Sequence, residues 1–280
     1  MIMLSGAIAC SVAVSVLLKL ARRFQLQVAQ SVLVNYVVAS ALVLYLLKPP
    51  FSDAPHLLEH WPLLAALGLL LPSVFLVMAA AVDLAGIARS DAAQRLSLVL
   101  PLLAAFLLFG ETADAGKLLG LGLAILALLG LIHREEAATR LGKSGLLLLP
   151  AVWAGYGVID ICFKQMAKTG ARFPVILLAC FLLAGCFLAL WLILRKTRWH
   201  LPSLAGGVLL GLFNFGNIYA YIRAHQDMPE NPALVFTAMN IGVIVLGSLS
   251  GILLFRERLT RVNLAGILLA GLAIVLLIPV

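Results

Sequence analysis

Charged residues are scarce in this sequence, and their scarcity excludes most classes of soluble protein. Only 11% of the 280 residues are Asp, Glu, Lys or Arg, whereas 63% are hydrophobic and the mean hydropathy is +1.11. Soluble globular domains carry about 25% charged residues. No segment is long or polar enough to form a separate soluble domain. The composition therefore indicates an integral membrane protein.

Cysteines and nucleotide-binding motifs are also sparse. The four cysteines all lie inside apolar stretches, which is typical of small buried or lipid-facing residues and not of a disulfide framework or a metal site: Cys10, Cys162, Cys180 and Cys186. The sequence contains no P-loop and no G-x-S-x-G motif. We therefore expect no ATP-driven transport by this chain alone, no enzymatic activity, no cofactor and no bound metal.

Long apolar runs are what the sequence has in abundance. Ten of them, separated by charged or Pro- and Gly-rich breaks, approach the roughly 20 residues that a membrane-spanning helix needs. Such runs must be helices, because an isolated strand in lipid leaves its backbone polar groups unpaired. The sequence predicts an all-α integral membrane fold with ten transmembrane helices at 3–20, 27–47, 61–83, 91–109, 115–132, 144–166, 173–194, 203–222, 232–254 and 261–279.

Two segments of the second half repeat segments of the first. Leu107–Ile132 and Leu253–Ile278 are displaced by 146 residues, and 12 of their 26 positions are identical. At a displacement of 145 residues, three polar positions of helix one fall on three of helix six: Ser11 on Tyr156, Ser15 on Asp160 and Lys19 on Lys164. We predict two five-helix units, 1–140 and 141–280. A unit with an odd number of crossings enters the membrane from the other side in its second copy, which gives inverted repeats.

Basic residues are distributed unequally between the two sides of the predicted bundle. Fourteen Lys and Arg flank the loops after helices one, three, five, seven and nine, and six flank the others. The positive-inside rule predicts that the first side is cytoplasmic, so that both termini lie outside. The same rule accounts for the net charge of +8, and we expect no nucleic-acid partner.

Two stretches, Ala79–Glu111 and Gly247–Leu277, carry a family resemblance. The first reads AAAVDLAGIARSDAAQRLSLVLPLLAAFLLFGE, and the second ends its helix in LLFRE before Gly266 and Gly271. These paired FGE and FRE segments resemble the drug/metabolite transporter superfamily, EamA type. The resemblance covers the whole chain and implies a 5+5 helix carrier that works by exchange or proton coupling. Members often keep both termini in the cytoplasm, which the charge count here does not favour.

Helix six carries the residues that we favour as a substrate-binding or coupling site. Trp153, Tyr156, Asp160 and Lys164 are spaced by three and four, so they share one helical face. A carboxylate in a membrane helix costs about 2.5–3.5 kcal/mol to insert, so Asp160 should face the bundle interior or a wet cavity. Asp160 and Lys164 would form a switch in which substrate or a proton competes with Lys164 for the Asp160 carboxylate. The alternatives are a neutralised structural pair and an interfacial position.

Further polar residues in other helices belong to the same predicted site. They are Lys19 and Ser15 in helix one, Gln94 in helix four, Asn214, Asn217 and Tyr221 in helix eight, and Asn240 in helix nine. Gln94 and Asn240 coincide at the 146-residue displacement, so they could meet across the pseudo-two-fold axis. The structural alternatives are snorkelling of Lys19 to the interface and amide contacts between helices.

Other features are given structural roles. Asp91 and Arg95 are predicted to form a salt bridge at the cytoplasmic mouth, with a substrate anion clamp as the alternative. Recurring glutamates at the ends of helices four and nine are predicted to cap the helix that follows, and glycines four apart are predicted to let helices approach closely. These residues are Glu111, Glu257, Gly247 and Gly251.

The function that fits these observations is a secondary-active carrier in the cell (inner) membrane, exporting or exchanging a small polar or amphipathic metabolite. It would work by alternating access between the inverted repeats, with protons or a counter-substrate as coupling partner. The alternatives are a flippase for lipids or lipid-linked substrates and an intramembrane enzyme. An enzyme would need clustered acids, histidines or metal ligands, and the five histidines here are scattered.

Overall fold

The computed structural model describes residues 1–101, 103, 115–132, 143–230 and 232–277. Within these ranges the chain is helical without strands, which confirms the all-α fold class. The ten helices of ten or more residues are α1 (Ile2–Arg23), α2 (Val28–Leu42), α3 (Trp61–Ala85), α4 (Ile87–Leu96), α5 (Ala115–Ile132), α6 (Lys143–Ala167), α7 (Phe173–Leu194), α8 (Leu201–Asp227), α9 (Pro232–Phe255) and α10 (Arg261–Leu277).

Seven of these helices are long and apolar enough to cross a membrane: α1, α2 with the π-helical turn Val43–Leu47 that extends it, α3, α6, α7, α8 and α9. The shorter helices α5 and α10 are also apolar. Large apolar side chains are exposed along the helices, including Leu194 at 73% and Leu147 at 71%. Exposed apolar surface on this scale fits contact with lipid and identifies a multi-pass membrane protein.

Nine of the ten predicted spans agree with observed helices to within five residues at each described end. The fourth prediction, 91–109, is wrong in its continuity. α4 begins at Ile87, four residues before the predicted start, and ends at Leu96, and a turn interrupts the predicted span at Ser97 and Leu98. The prediction took the apolar run as one helix and its charged start as a loop, whereas the charged residues near position 90 lie inside α4. Residues 104–109 of this span lie outside the described ranges.

The chain divides into two compact units, each drawing on both halves of the sequence. Unit 1 consists of Met1–Lys19, Val77–Gly157 and Gly216–Val280. Unit 2 consists of Leu20–Leu76 and Val158–Phe215.

The core of unit 1 is built from two clusters of buried apolar residues. One cluster joins α4, α5, α9 and α10 through Ala88, Ala92, Leu96, Ala124, Ala127, Ile244, Ile267 and Ala270. The other joins α1, α8 and α9 through Leu4, Ala7, Val12, Ala220, Val235 and Met239. Six of the thirteen buried residues of the first cluster are alanines, and small residues allow the helices of a membrane protein to approach closely.

α5 and α10 cross closely in unit 1. A Cβ atom added to Gly266 would lie 3.0 Å from the carbonyl oxygen of Ala127. Beside this crossing, the amide of Asn263 donates to the carbonyl oxygen of Gly130 at 2.9 Å. The first turn of α10 thus lies against the last turn of α5, and the two helices meet there largely through backbone atoms.

In unit 2, a buried polar network joins the start of α2 to the start of α8. The side chain of Gln30 is fully buried; it donates to the Arg198 carbonyl at 2.7 Å and accepts from the His200 N–H at 2.9 Å. The hydroxyl of Ser203 accepts from the Gln27 N–H at 2.8 Å. These bonds satisfy backbone groups at two helix ends, where intrahelical partners are missing.

An exposed ion pair fixes the loop after α2 to the start of α7 in unit 2. The backbone N–H and the Nε of Arg172 both donate to Oδ2 of Asp53 at 3.0 Å, and Nη2 donates to Oδ1 at 3.2 Å. These bonds hold the pKa of the Asp53 carboxyl well below its usual range.

We predict that Gly266→Ala lowers the melting temperature, because its new Cβ would meet backbone atoms of α5 that cannot move without separating the helices. Gly271→Ala on the same helix is the matched control, since no neighbouring atom of the described residues lies within 4 Å of its Cβ position. The control should be neutral or should gain up to about 1 kcal/mol from helix propensity. Equal melting temperatures for the two variants would contradict the close crossing.

We also predict a small effect of Asp53→Asn with a defined pH dependence. Because the folded-state pKa is lowered, the ion pair stabilises the protein at neutral pH, and this contribution is lost as the pH falls below about 3.9. The melting temperature of Asp53→Asn should therefore lie slightly below that of the wild type at pH 7 and approach it in acid. A difference that grows as the pH falls would refute this assignment.

Candidate functional site

The third and fourth spans meet at a break inside unit 1. α3 ends at Ala85, α4 starts at Ile87, and Gly86 between them has φ 95°, which glycine adopts without strain. The break leaves carbonyl groups at the end of α3 and N–H groups at the start of α4 without partners in their own helices. Groups of this kind must be satisfied by other parts of the protein when they are buried.

Lys19 of α1 binds the end of α3. Its Nζ donates to the carbonyl oxygens of Val82 at 2.8 Å and of Asp83 at 3.0 Å. The C-terminal end of a helix carries partial negative charge, and a cation there contributes about 0.3–1 kcal/mol or more when partly buried. The side chain is 19% exposed, and its ammonium group is engaged by a helix end inside the unit.

Glu257, which follows α9, binds the start of α4. Its Oε1 accepts from the Ile87 N–H at 2.8 Å, and its Oε2 lies 3.5 Å from the Ala88 nitrogen. The same carboxylate lies 3.5 Å from the Lys19 ammonium. Two opposite charges thus cap two opposite helix ends and pair with each other. We call this arrangement the Lys19–Glu257 clamp.

The prediction that Glu257 caps the following helix is wrong. α10 is capped by Thr260 and Asn263, each of whose side chains accepts a hydrogen bond from the backbone N–H of the other, at 3.1 and 3.2 Å. After α9, Arg256 adopts φ 53°, and this turn leaves Glu257 directed at α4. No local pattern could have indicated a cap for a helix some 170 residues earlier in the chain. Glu111 lies outside the described residues.

One turn into α4, an acid and an arginine contact α1. Asp91 is 1% exposed, and its Oδ1 accepts from the Ser15 hydroxyl at 2.7 Å. Arg95 donates to the Ser11 hydroxyl at 2.8 Å and to Oδ1 of Asn240 at 3.4 Å. Arg95 also interacts electrostatically with Asp91. We call these five residues the polar cluster. Asp91 therefore lies in the interior, not at an exposed mouth as expected.

Two predicted site residues border the polar cluster. Trp153 of α6 donates from Nε1 to the carbonyl oxygen of Leu96 at 3.0 Å and so binds the end of α4. The hydroxyl of Tyr221 is near enough to Arg95 to interact electrostatically. Both ends of α4 are thus held by side chains from other helices, and its middle carries the charged residues.

The remaining predicted residues are divided between the units. Gln94, Tyr156 and Asn217 are half-buried in unit 1, and Gln94 is adjacent to the arginine that contacts Asn240. Unit 2 contains the half-buried Asp160, the exposed Lys164, and Asn214, whose amide donates to Asn35 Oδ1 at 3.0 Å. The structure therefore brings Ser15, Lys19 and Asn240 into one site around α4, together with residues to which the sequence assigned other roles.

No protein-family model matches the sequence. A protein of Haemophilus influenzae, described as an uncharacterized protein, is 48% identical over 268 residues, which cover 94% of this chain and 92% of the relative. The chain belongs to the family of this protein. Because the match covers nearly the whole chain, the family likeness extends through both units.

Sequence reasoning underrated Asp91, Ser11 and Glu257. A signal for the first two was present: Ser11, Ser15 and Lys19 repeat every four residues on one face of α1, as Asp91 and Arg95 do on α4. Two such polar faces in apolar helices could have been paired with each other. Within the described residues, no group of three or more His, Cys, Asp or Glu is arranged to hold a metal ion.

We predict that Gly86→Ala is far more damaging than Gly170→Ala. Both glycines have positive φ, at 95° and 83°, a conformation that residues with a side chain rarely adopt, so both variants strain the backbone. At Gly86 the new Cβ would also meet the Glu257 carboxylate, at 2.6 Å, whereas no described residue lies within 4 Å of it at Gly170. Melting temperatures in one detergent compare the two. Similar losses would mean that the clamp contributes little to stability.

Proposed function

We propose that this chain is a secondary-active carrier of a small polar or amphipathic metabolite, of the EamA type in the drug/metabolite transporter superfamily. The observation that carries the proposal is α4, a ten-residue helix whose Asp91 and Arg95 lie among apolar helices. Ionisable residues within a membrane protein are costly and mark solute or ion pathways. The turn at Ser97 and Leu98 interrupts this fourth span, and interrupted spans form the solute sites of many secondary transporters.

The relative directions of the helices in unit 1 support ten alternating crossings. α1 and α4 run antiparallel, because Ser15 contacts Asp91 while the earlier residue Ser11 contacts the later residue Arg95. α4 and α9 also run antiparallel, since Arg95 contacts Asn240 while Asp91 lies against the later Gly247. Helices of odd and even number have opposite directions in a chain that crosses the membrane each time.

The pairing of α5 with α10 supports inverted repeats. These helices are equivalent in the predicted duplication, and they run antiparallel: Gly130 contacts Gly266, whereas the earlier Gly120 contacts the later Leu277. Equivalent helices of two parallel repeats would run in the same direction. Two copies in opposite orientations, 1–140 and 141–280, could exchange conformations and expose a bound solute to each side in turn.

The proposal places the carrier in the cell inner membrane, with the loops rich in Lys and Arg in the cytoplasm and both termini outside. The polar cluster supplies hydroxyl, amide, carboxylate and guanidinium groups for a polar solute. We propose transport and not catalysis because these groups lie on four-residue repeats along helices that face one another, an arrangement suited to holding a solute between moving helices.

The experiment that tests this function starts with a thermal-shift screen of the purified protein against a metabolite library. We predict that compounds that raise the melting temperature are also taken up by proteoliposomes, with saturable flux that is accelerated by the same compound on the other side. Arg95→Gln should abolish this flux, because Arg95 joins the α1 and α9 sides of the polar cluster.

Arg223→Gln provides the matched control, since Arg223 is an exposed arginine near the end of α8 that contacts Gln226. It should transport as the wild type does. Flux that is unchanged in Arg95→Gln would remove the polar cluster from the transport pathway. Chemical conversion of the stabilising compound would show an enzyme instead of a carrier.

A further inference from the structure

The two carboxylate oxygens of Asp91 have different surroundings. Oδ1 accepts the hydrogen bond from Ser15 at 2.7 Å. Oδ2 has no hydrogen-bond partner among the described residues. It lies against α9 at Gly247, where an added Cβ would come within 2.5 Å of it. A buried side chain that is 99% shielded therefore presents one bare oxygen to a helix backbone.

The charges around Asp91 come from three elements. α4 itself supplies Arg95, and the segment after α9 supplies Glu257; both interact electrostatically with Asp91, with opposite signs. α1 supplies Lys19, whose charge is paired with Glu257 at 3.5 Å. The described buried residues of α5 and α10 carry no charge: they are apolar apart from Asn263, a neutral amide. Arg95 therefore opposes the effect of Glu257 on the Asp91 carboxylate.

Arg95 is shared between Asp91 and other partners. Its guanidinium donates to Ser11 and to Asn240, on two different helices. A buried carboxylate with one hydrogen bond and a shared counter-charge is costly, and protonation removes that cost. A metal cation is a poor alternative ligand, because it would have to bind beside the positive guanidinium.

We propose that Asp91 is the proton-binding site of this carrier, and that one proton binds to and leaves Oδ2 in each transport cycle. This inference rests on the proposed function and deepens it by naming the coupling ion and its residue. A hydronium ion on one side of the membrane gives its proton to Oδ2, forming an O–H bond and leaving water. Water on the other side takes the proton back, and the carboxylate is restored.

Arg95 is the group that ties proton binding to conformation. When its guanidinium is close to Asp91, the carboxylate form is favoured; when movement or a bound solute draws it towards other partners, the protonated form is favoured. The proton is therefore taken up in one arrangement of the polar cluster and released in the other.

Infrared difference spectroscopy of the reconstituted full chain, recorded as the pH is lowered, tests the site without any solute. The wild type should gain a carboxylic C=O band that is lost in Asp91→Asn and retained in Asp160→Asn, the matched control for a second half-buried acid. In Arg95→Gln the band should appear at higher pH. An Asp91→Asn spectrum identical to that of the wild type overturns the proposal.

If Asp91→Asn does not fold, Ser15→Ala provides a second test. This variant keeps the carboxyl group and removes its hydrogen-bond donor, so the same band should shift in frequency; a band that does not move overturns the assignment.

Flux measurements separate this inference from the proposed function. Solute flux by a protein whose Asp91 band does not titrate refutes the proton site alone, whereas a titrating Asp91 in a protein without flux refutes the carrier.

Discussion

The pairing of Lys19 with Glu257 at the Gly86 break is the interaction on which unit 1 depends. A tight connection between two spans leaves backbone groups at both helix ends that lipid cannot satisfy. Lys19 takes the carbonyl end of α3, Glu257 takes the N–H end of α4, and the two charges lie 3.5 Å apart. Each charge therefore interacts favourably with the dipole of a helix end, and it also compensates the cost of burying the opposite charge. Without both groups, a helix as short and polar as α4 would have no stable place among apolar neighbours.

The clamp also determines which side of α4 meets α1. From Lys19 towards the N-terminus, α1 carries Ser15 and then Ser11, each four residues apart. From its capped start, α4 carries Asp91 and then Arg95 at the same spacing, and the two helices run antiparallel. The hydroxyls therefore meet the acid and the arginine in register, at 2.7 and 2.8 Å. Because side chains four residues apart share a face on both helices, fixing one end of the α1–α4 contact aligns the remaining pairs along it.

The hydropathy pattern predicted the positions of the helices, because a segment exposed to lipid must be apolar wherever the chain crosses the membrane. It failed at α4, where burial against α1 and α9 lets charged residues lie inside a helix. The repeat correctly selected Ser15 and Lys19 as members of one polar face. Asp160 was favoured because it lies inside a long apolar run, whereas Asp91 stands at the predicted start of its span. Only the tertiary structure shows that Asp91 is 1% exposed while Asp160 is half-buried. The role of Glu257 depends on a contact across 170 residues, which no local pattern encodes.

The glycine pair Gly247 and Gly251 shows how α9 accommodates two acids. Their spacing suggested a surface for close helix packing, yet Gly247 lies against the Asp91 carboxylate and Gly251 against Glu257. The missing side chains thus give room to two like charges on one helix face, one turn apart. Such charges repel unless cations lie among them. Lys19 is bound to Glu257 and to two carbonyls of α3, so it neutralises the charge at the helix break. The charge of Asp91 is then compensated by Arg95. A change in the position of the Arg95 guanidinium therefore alters the electrostatics of the polar cluster while the Lys19–Glu257 clamp stays intact.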